Sequence, residues 1–315
     1  MEELQASLAA GQTGSEELLY FWALGDLHYS AQTEWRVHHT PRLSHMYQDL
    51  RQLWAREGAP AFCVSPGDIV EFGDLGHYQE AGQQLRLNLG NVPFYPGLGN
   101  HELYTSGEER EADLLKDFST FWSKALHYYW VEGEVLCVML DVIGYPKPEL
   151  SRESLSFLAT ALAKHPQHIA IIFAHCPLYK TVLARDAAGS LDYDSCDDFF
   201  SIGNSAEVRT LLAEHRNVCL YLSGHTHTGW QSPSLVTTER LGEHPVTHVN
   251  LSSPWYTGRN HGAGWIENEQ RYVYRADQPD SIVSLAVHVM RDQVWLRLRD
   301  HGAGDWLTEW RVPVR

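Results

Sequence analysis

The sequence predicts an α/β fold in which strands covered on both faces alternate with helices. Three observations carry that expectation. Short continuous apolar runs at 18–24, 61–64, 92–98, 169–174 and 218–223 have the length and content of strands buried on both faces. Between them lie stretches with apolar residues at helical spacing, at 44–57, 76–90, 151–164 and 206–216. Finally, every one of those apolar runs ends within a few residues in Asp, Asn or His. Strand–helix–strand order implies largely parallel strands joined by right-handed crossovers. In such sheets the carboxyl ends of the strands line one crevice, where ligands bind.

Each element has its own reason. Residues 1–17 are polar and read as a tail or surface helix. The run Leu-Leu-Tyr-Phe-Trp-Ala-Leu at 18–24 is a strand, and it stops at Gly25-Asp26-Leu27-His28. Met46, Leu50, Leu53 and Trp54 form the stripe of a helix over 44–57, which Ala59-Pro60 ends. The short strand 61–64 runs into Gly67-Asp68, and the Pro-interrupted piece 92–98 into Gly99-Asn100-His101-Glu102. Leu114, Leu115, Phe118, Phe121 and Trp122 give 103–126 an amphipathic pattern. Residues 127–130 and 135–142 read as strands around the turn Glu132-Gly133-Glu134. Residues 169–174 end in His175, and 218–223 in Gly224-His225-Thr226-His227. Residues 180–204 are acidic and irregular; 246–251, 282–290 and 294–299 read as strands joined by long loops.

Asp26, His28, Asp68, Asn100, His101, His175, His225 and His227 are thereby expected on one rim. Because these blocks span residues 26 to 227, one domain over 1–315 is expected: a tail at 1–17, a motif-bearing core at 18–250, and C-terminal strands and loops at 251–315. His is the commonest metal ligand near neutral pH. Such a set of N and O donors is too large for one four-coordinate ion and suits two. Paired ions about 3.5–4 Å apart need a bridging carboxylate, acidify a bound water and attract a phosphate. Imidazole, carboxylate and amide donors suit Mn, Fe, Zn or Co without choosing among them.

Bulk properties narrow the function class. The chain has 315 residues, 43% hydrophobic and 20% charged, as in an ordinary globular protein. Its formal charge of −16 disfavours coating of nucleic acid and adsorption to anionic membranes. Five cysteines without a CxxC pair read as reduced thiols in a cytoplasmic protein. The N-terminus lacks the basic region of a secretory signal, and the apolar runs are too short to span a membrane. No P-loop, G-x-S-x-G elbow or H-E-x-x-H helix occurs.

The blocks Asp26-x-His28, Gly67-Asp68, Gly99-Asn100-His101-Glu102, His175 and Gly224-His225-x-His227, in that order, resemble the calcineurin-like metallophosphoesterase superfamily. The resemblance covers about 18–250, and the 128–141 hairpin and the 157–177 unit look like its cyclic-nucleotide phosphodiesterase branch. It implies a four-layer α-β-β-α sandwich with a di-metal site at the strand C-terminal ends. It also implies two divalent or trivalent transition metal ions (Mn, Fe or Zn). One ion would be held by Asp26, His28, Asp68 and His227. The other would be held by Asp68, Asn100, His175 and His225. His101 would be the catalytic group aiding departure of the alkoxide, with Asn100 and His101 meeting the substrate. The implied activity is hydrolysis of a small phosphodiester or phosphomonoester by in-line attack of a metal-bridging hydroxide. Glu102 would orient a neighbour. Asp68 is not followed three residues on by the Tyr of purple acid phosphatases, nor by the Asp-Arg-Gly of protein phosphatases. A non-catalytic binding or scaffold module of the same fold is the alternative, although no implied ligand is missing. A metal-dependent amidohydrolase would have its His-x-His at the first strand, the reverse of the order here. Arg36, Arg259, Asn260 and His261 are possible substrate contacts, and Trp255, Tyr256 and Trp265 possible pocket walls.

Overall fold

Alternation along the apolar runs places each strand between two different cores. In the strand Val135–Leu140, Val135, Cys137 and Met139 belong to one buried cluster and Leu136, Val138 and Leu140 to another. A two-faced apolar strand needs a cover on each side, and the computed structural model shows both covers. It describes residues 16–105, 110–185, 191–194, 200–230, 232, 234–254, 263–266, 271–274 and 281–314.

In chain order the strands are β1 (Glu17–Ala23), β2 (Cys63–Ser65), β3 (Phe94–Pro96), β4 (Tyr128–Glu132), β5 (Val135–Leu140), β6 (Ile169–Ala174), β7 (Leu183–Arg185), β8 (Leu191–Asp194), β9 (Val218–Ser223), β10 (Val236–Leu241), β11 (His244–Asn250), β12 (Ala263–Ile266), β13 (Arg271–Tyr274), β14 (Val283–Met290), β15 (Gln293–Asp300) and β16 (Asp305–Pro313). The helices are α1 (Thr33–Glu57), α2 (Leu75–Leu89), α3 (Glu111–Trp122), α4 (Arg152–Lys164) and α5 (Ser205–Glu214). One six-stranded sheet runs β16-β15-β14-β1-β2-β3 and the other β10-β11-β9-β6-β5-β4. The parallel expectation holds within β1-β2-β3 and within β5-β6-β9-β11, while β14–β16, β4 and β10 pair antiparallel.

The inner faces of the sheets share one core. Phe21, Phe62, Val64, Leu285 and Leu296 meet Cys137, Phe173, Cys219 and Leu222 there. The outer face of the first sheet buries Trp22 and Cys63 under Met46, Leu50, Trp54, Tyr78 and Leu85 of α1 and α2. The outer face of the second buries Ile172 and Tyr221 under Leu155, Leu158, Val208 and Leu212 of α4 and α5. This is the expected α-β-β-α layering. The chain after residue 251, for which no motif existed, supplies three strands to the first sheet, with β14 paired directly to β1.

The stretch 180–204, read as irregular, instead carries β7 and β8, paired antiparallel. Three further differences from expectation each have a cause. Helix α1 begins at Thr33, well before residue 44, and carries Pro41 inside it; its first turns lack an apolar stripe, and Val37 is largely exposed. The 103–126 helix shortens to α3, preceded by a 3-10 turn at His101–Leu103. Strands β10 and β16 are edge strands whose polar, half-exposed residues hide the strand signal.

Candidate metal centre

The turns that leave β1, β2 and β9 are unusually tight. Asp26 (φ 36°), His28 (φ 47°), Asp68 (φ 51°), His225 (φ 71°) and His227 (φ 46°) all adopt left-handed backbone. Non-glycine residues rarely do so, at a cost of about 1–3 kcal/mol each, and such strain gathers at functional sites. The neighbouring glycines have a separate role. A Cβ on Gly224 would overlap the Asp26 carboxylate, and one on Gly99 would overlap that of Asp68. Glycine therefore lets two acidic side chains lie flat against backbone from distant parts of the chain.

These turns bring the predicted residues together. Asp26, His28, Asp68 and His227 each offer one donor atom within 4.8 Å of the others, and so do Asp68, His175 and His225. Asp68 belongs to both groups. His28 Nε2 lies 3.1 Å from His227 Nε2, and His175 Nε2 lies 3.1 Å from Asp68 Oδ2. Asn100 joins the second group through Oδ1, 3.0 Å from His175 Nε2. Every predicted metal ligand is buried. His101 sits at the edge, its side chain 22% exposed, with its ring 4.5 Å from that of His28.

Neither aspartate caps a helix. Asp26 Oδ1 accepts from the His225 backbone N–H at 2.9 Å, and Asp68 Oδ1 accepts from that of His101 at 2.9 Å. Asp26 Oδ2, fully buried, has no hydrogen-bond partner. A buried carboxylate oxygen left that way costs free energy unless a cation meets it. The charges point the same way. Burial pushes the Asp26 carboxyl up to about 6, and the adjacent Asp68 adds to the rise while His175 opposes it. Burial also opposes ionisation of Asp68, but the charges of His175, His101 and His28 hold it well below the usual carboxylate range. Burial would lower His28, yet the hydrogen bond and charge of Glu71, with Asp68 and Asp26, raise it to about 9. Burial and the nearby His28 hold His227 well below its ordinary value, in the neutral form that donates a lone pair. A buried acidic pocket ringed by imidazole nitrogens fits a pair of cations.

Two acidic residues behind this layer hold it in place. Glu102, given only an orienting role in advance, accepts backbone N–H groups of Asp68, Ile69, Val70 and Gly99 at 2.6–3.2 Å. It clamps two motif turns at once. Glu71 was not foreseen. Its Oε2 lies 3.1 Å from His28 Nδ1, and its backbone carbonyl lies 3.0 Å from His101 Nδ1. A carboxylate behind a ligand histidine fixes its tautomer and raises its basicity. Asn250 and Ser253 were also missed. Asn250 Nδ2 donates to the Gly224 carbonyl, and Ser253 Oγ to that of Asp26. Their sequence signal is faint: polar residues at and just beyond the end of a buried strand. Arg36 lies on the surface, 3.9 Å from Glu80. Trp265 falls in β12. Trp255, Tyr256, Arg259, Asn260 and His261 lie outside the described residues.

The profile of the family described as calcineurin-like phosphoesterase matches residues 19–229. The chain belongs to that family. Its match to the 3',5'-cyclic adenosine monophosphate phosphodiesterase CpdA of Escherichia coli K12 is 24% identical over 230 residues, covering 69% of this chain and 77% of CpdA. Among solved structures, a dimetal phosphatase from Danio rerio superposes with TM-score 0.61 at 14% identity, over 95% of this chain and all of the other. GAP50, described as the anchor in the inner membrane complex of Plasmodium, superposes with TM-score 0.55 at 13% identity, covering 95% of this chain and 90% of GAP50. Likenesses this distant establish a shared fold. Family membership makes the chain a metal-dependent phosphoesterase in general terms, with a His/Asp cluster able to bind metal.

Proposed function

We propose that the protein hydrolyses a small phosphodiester at a two-metal site. In this reading Asp26, His28, Asp68 and His227 hold one ion. Asp68, Asn100, His175 and His225 hold the other. The observation that carries the reading is the sharing of Asp68 between two converging donor groups, beside the unpartnered buried oxygen of Asp26. When bound, the ions supply positive charge that acidifies water and neutralises the phosphoryl oxygens.

The protein's own groups do the rest. Asp68, common to both donor groups, would be the ligand that the two ions share. Asn100 and His101 face the phosphoryl group. His101 donates Nδ1–H to the Glu71 carbonyl, so its Nε2 is the nitrogen that carries a proton to the departing alkoxide. Burial lowers the His101 imidazole below its ordinary value, with His28 adding to the fall while Asp68 and Glu71 oppose it. Because Nδ1 keeps its proton, Nε2 carries one only in the imidazolium form, which that fall makes a stronger acid and a scarcer one at neutral pH.

A diester as substrate draws support from the named activity of CpdA and from the fit of a small anion to a cationic centre in a chain of charge −16. Cyclic nucleotides are the leading class. Buried, unpaired Cys63, Cys137, Cys176 and Cys219 suit a reducing, cytoplasmic setting; no helix of the described residues is long and apolar enough to cross a membrane. The competing reading, a scaffold of the same fold, is kept in view by GAP50. Elemental analysis and a diester assay separate the two. The expected result is about two transition-metal ions per chain, with hydrolysis of bis(p-nitrophenyl) phosphate and cyclic AMP that Asp68→Ala abolishes. Metal-free native protein, or activity that survives exhaustive chelation, would sink the proposal.

A further inference from the structure

The donor groups form a floor, and aromatic rings rise from it. His175 is fully buried, and the His225 ring stands 4.9 Å from it. Beyond His225, at 5.4 Å and 6.0 Å between ring centroids, come Phe200 and Tyr145, both half-buried. Tyr145 is tethered there by a 3.1 Å contact of its hydroxyl with Cys176 Sγ, the residue after His175. Half-buried Tyr104 lies 4.7 Å from the His101 ring. Exposure thus grows outward from the donor atoms, and the surfaces met on the way are the faces and edges of rings. None of these aromatic residues offers a donor that the metal chemistry needs.

Small-molecule sites are built in this way, with a few polar groups fixing the reacting centre and apolar or aromatic walls holding the remainder. A flat ring gains by stacking on such walls, and a flexible alkyl chain does not. We propose that Phe200 and Tyr145, ranged outward from His225, form a specificity wall that favours phosphoesters carrying a planar ring, a nucleotide above all, over phosphoesters of alkyl alcohols. This rests on the hydrolase reading and adds to it the feature that discriminates among substrates.

The test compares kcat/KM of the manganese-loaded protein for cyclic AMP with that for glycerophosphoethanolamine. In Phe200→Leu the ratio of the two should fall about 10-fold, the size of one lost base–aromatic stack, through KM of the cyclic nucleotide. Phe200→Trp should restore it. Metal content and melting temperature, measured on the same samples, should stay at wild-type values. An unchanged ratio, or an equal loss on both substrates with loss of metal, would show that the rings only pack behind His225 and would overturn the proposal. If the wild type hydrolyses neither ester, the hydrolase reading fails, and the wall is judged by binding alone. Calorimetry should then show adenosine 5'-monophosphate binding more tightly than glycerol 3-phosphate in the wild type, with that preference lost in Phe200→Leu. Equal binding of the two by the wild type would overturn the wall as well.

Discussion

His101 and Glu71 show how much rests on second partners. His101 is the most exposed imidazole of the cluster, and its Nδ1 is committed to a backbone carbonyl. Removing the ring in His101→Ala should leave the metal in place, because no predicted ligand is lost. Turnover should fall by about 10²–10⁴, the usual share of a proton-transfer group. Equal metal content with near wild-type turnover would remove His101 from the chemistry. Glu71 lies behind the candidate ligand His28, so Glu71→Gln should instead weaken metal binding, by about 10–100-fold for an outer carboxylate on a histidine ligand. A metal titration followed by activity distinguishes the two variants, since excess metal should rescue Glu71→Gln and not His101→Ala. The candidate ligands were legible as a set because each stands at a strand end, all but His175 in a short Gly-containing block. Glu71 was not, because its partners His28 and His101 are brought to it by separate turns of the fold.

At the level of elements, one fastening ties α1 to the first sheet. Asp49 on α1 accepts from Arg299 Nε and Nη2 at 2.7 Å each and from His301 Nδ1 at 2.8 Å. His301 Nε2 then accepts a 2.6 Å hydrogen bond from the Ser284 hydroxyl, and Ser284 Oγ accepts from Trp22 Nε1 at 2.6 Å. The order Asp–His–Ser has the connectivity of a nucleophilic triad, but its serine is buried and already bonded to a core tryptophan. It is a structural chain joining α1, β1, β14 and the turn after β15. Burial opposes ionisation of Asp49, yet the hydrogen bonds and charges of Arg299 and His301 hold its carboxyl well below the usual range. A depressed folded-state value stabilises the fold at pH above the unfolded carboxylate value of about 4. That stabilisation is lost as pH falls below it toward the folded value. Asp49→Asn should therefore cost about 2 kcal/mol near neutrality, the scale of charge-assisted hydrogen bonds. The gap from wild type should close as the pH drops from about 5 to 2. Urea unfolding across that range checks it, and a gap independent of pH would mean the charge is not what matters. No such chain is visible in sequence, because residues 22, 49, 284 and 301 lie on separate elements. The buried strands were legible for the opposite reason: their signal is local. Edge strands β10 and β16, with one solvent-facing side and charged residues, carried no local signal.

Across the whole molecule, the two sheets converge at the site. β1 and β2 bring Asp26, His28 and Asp68 from one sheet, and β6 and β9 bring His175, His225 and His227 from the other. The parallel strand ends and their order were readable from the blocks; the antiparallel completion of the first sheet by β14–β16 was not, since nothing in those strands names a partner. A centre built from both sheets couples metal binding to the stability of the sandwich. Asp26 illustrates the coupling, because its carboxyl is pushed up by burial and by the second aspartate. Cations that neutralise the cluster bind the folded state and have no comparable site on an unfolded chain. At a free metal concentration of 100 times Kd, the folded state should gain about 2.7 kcal/mol. For a chain of this size that corresponds to a rise in melting temperature of roughly 4 °C. Calorimetry of chelator-stripped protein, before and after adding Mn²⁺, should show that rise together with recovery of diester hydrolysis, and Asp68→Ala should show neither. Recovery of activity without any thermal shift would mean that the ions bind at the surface, away from the paired sheets, and the shared-carboxylate geometry would have to be abandoned.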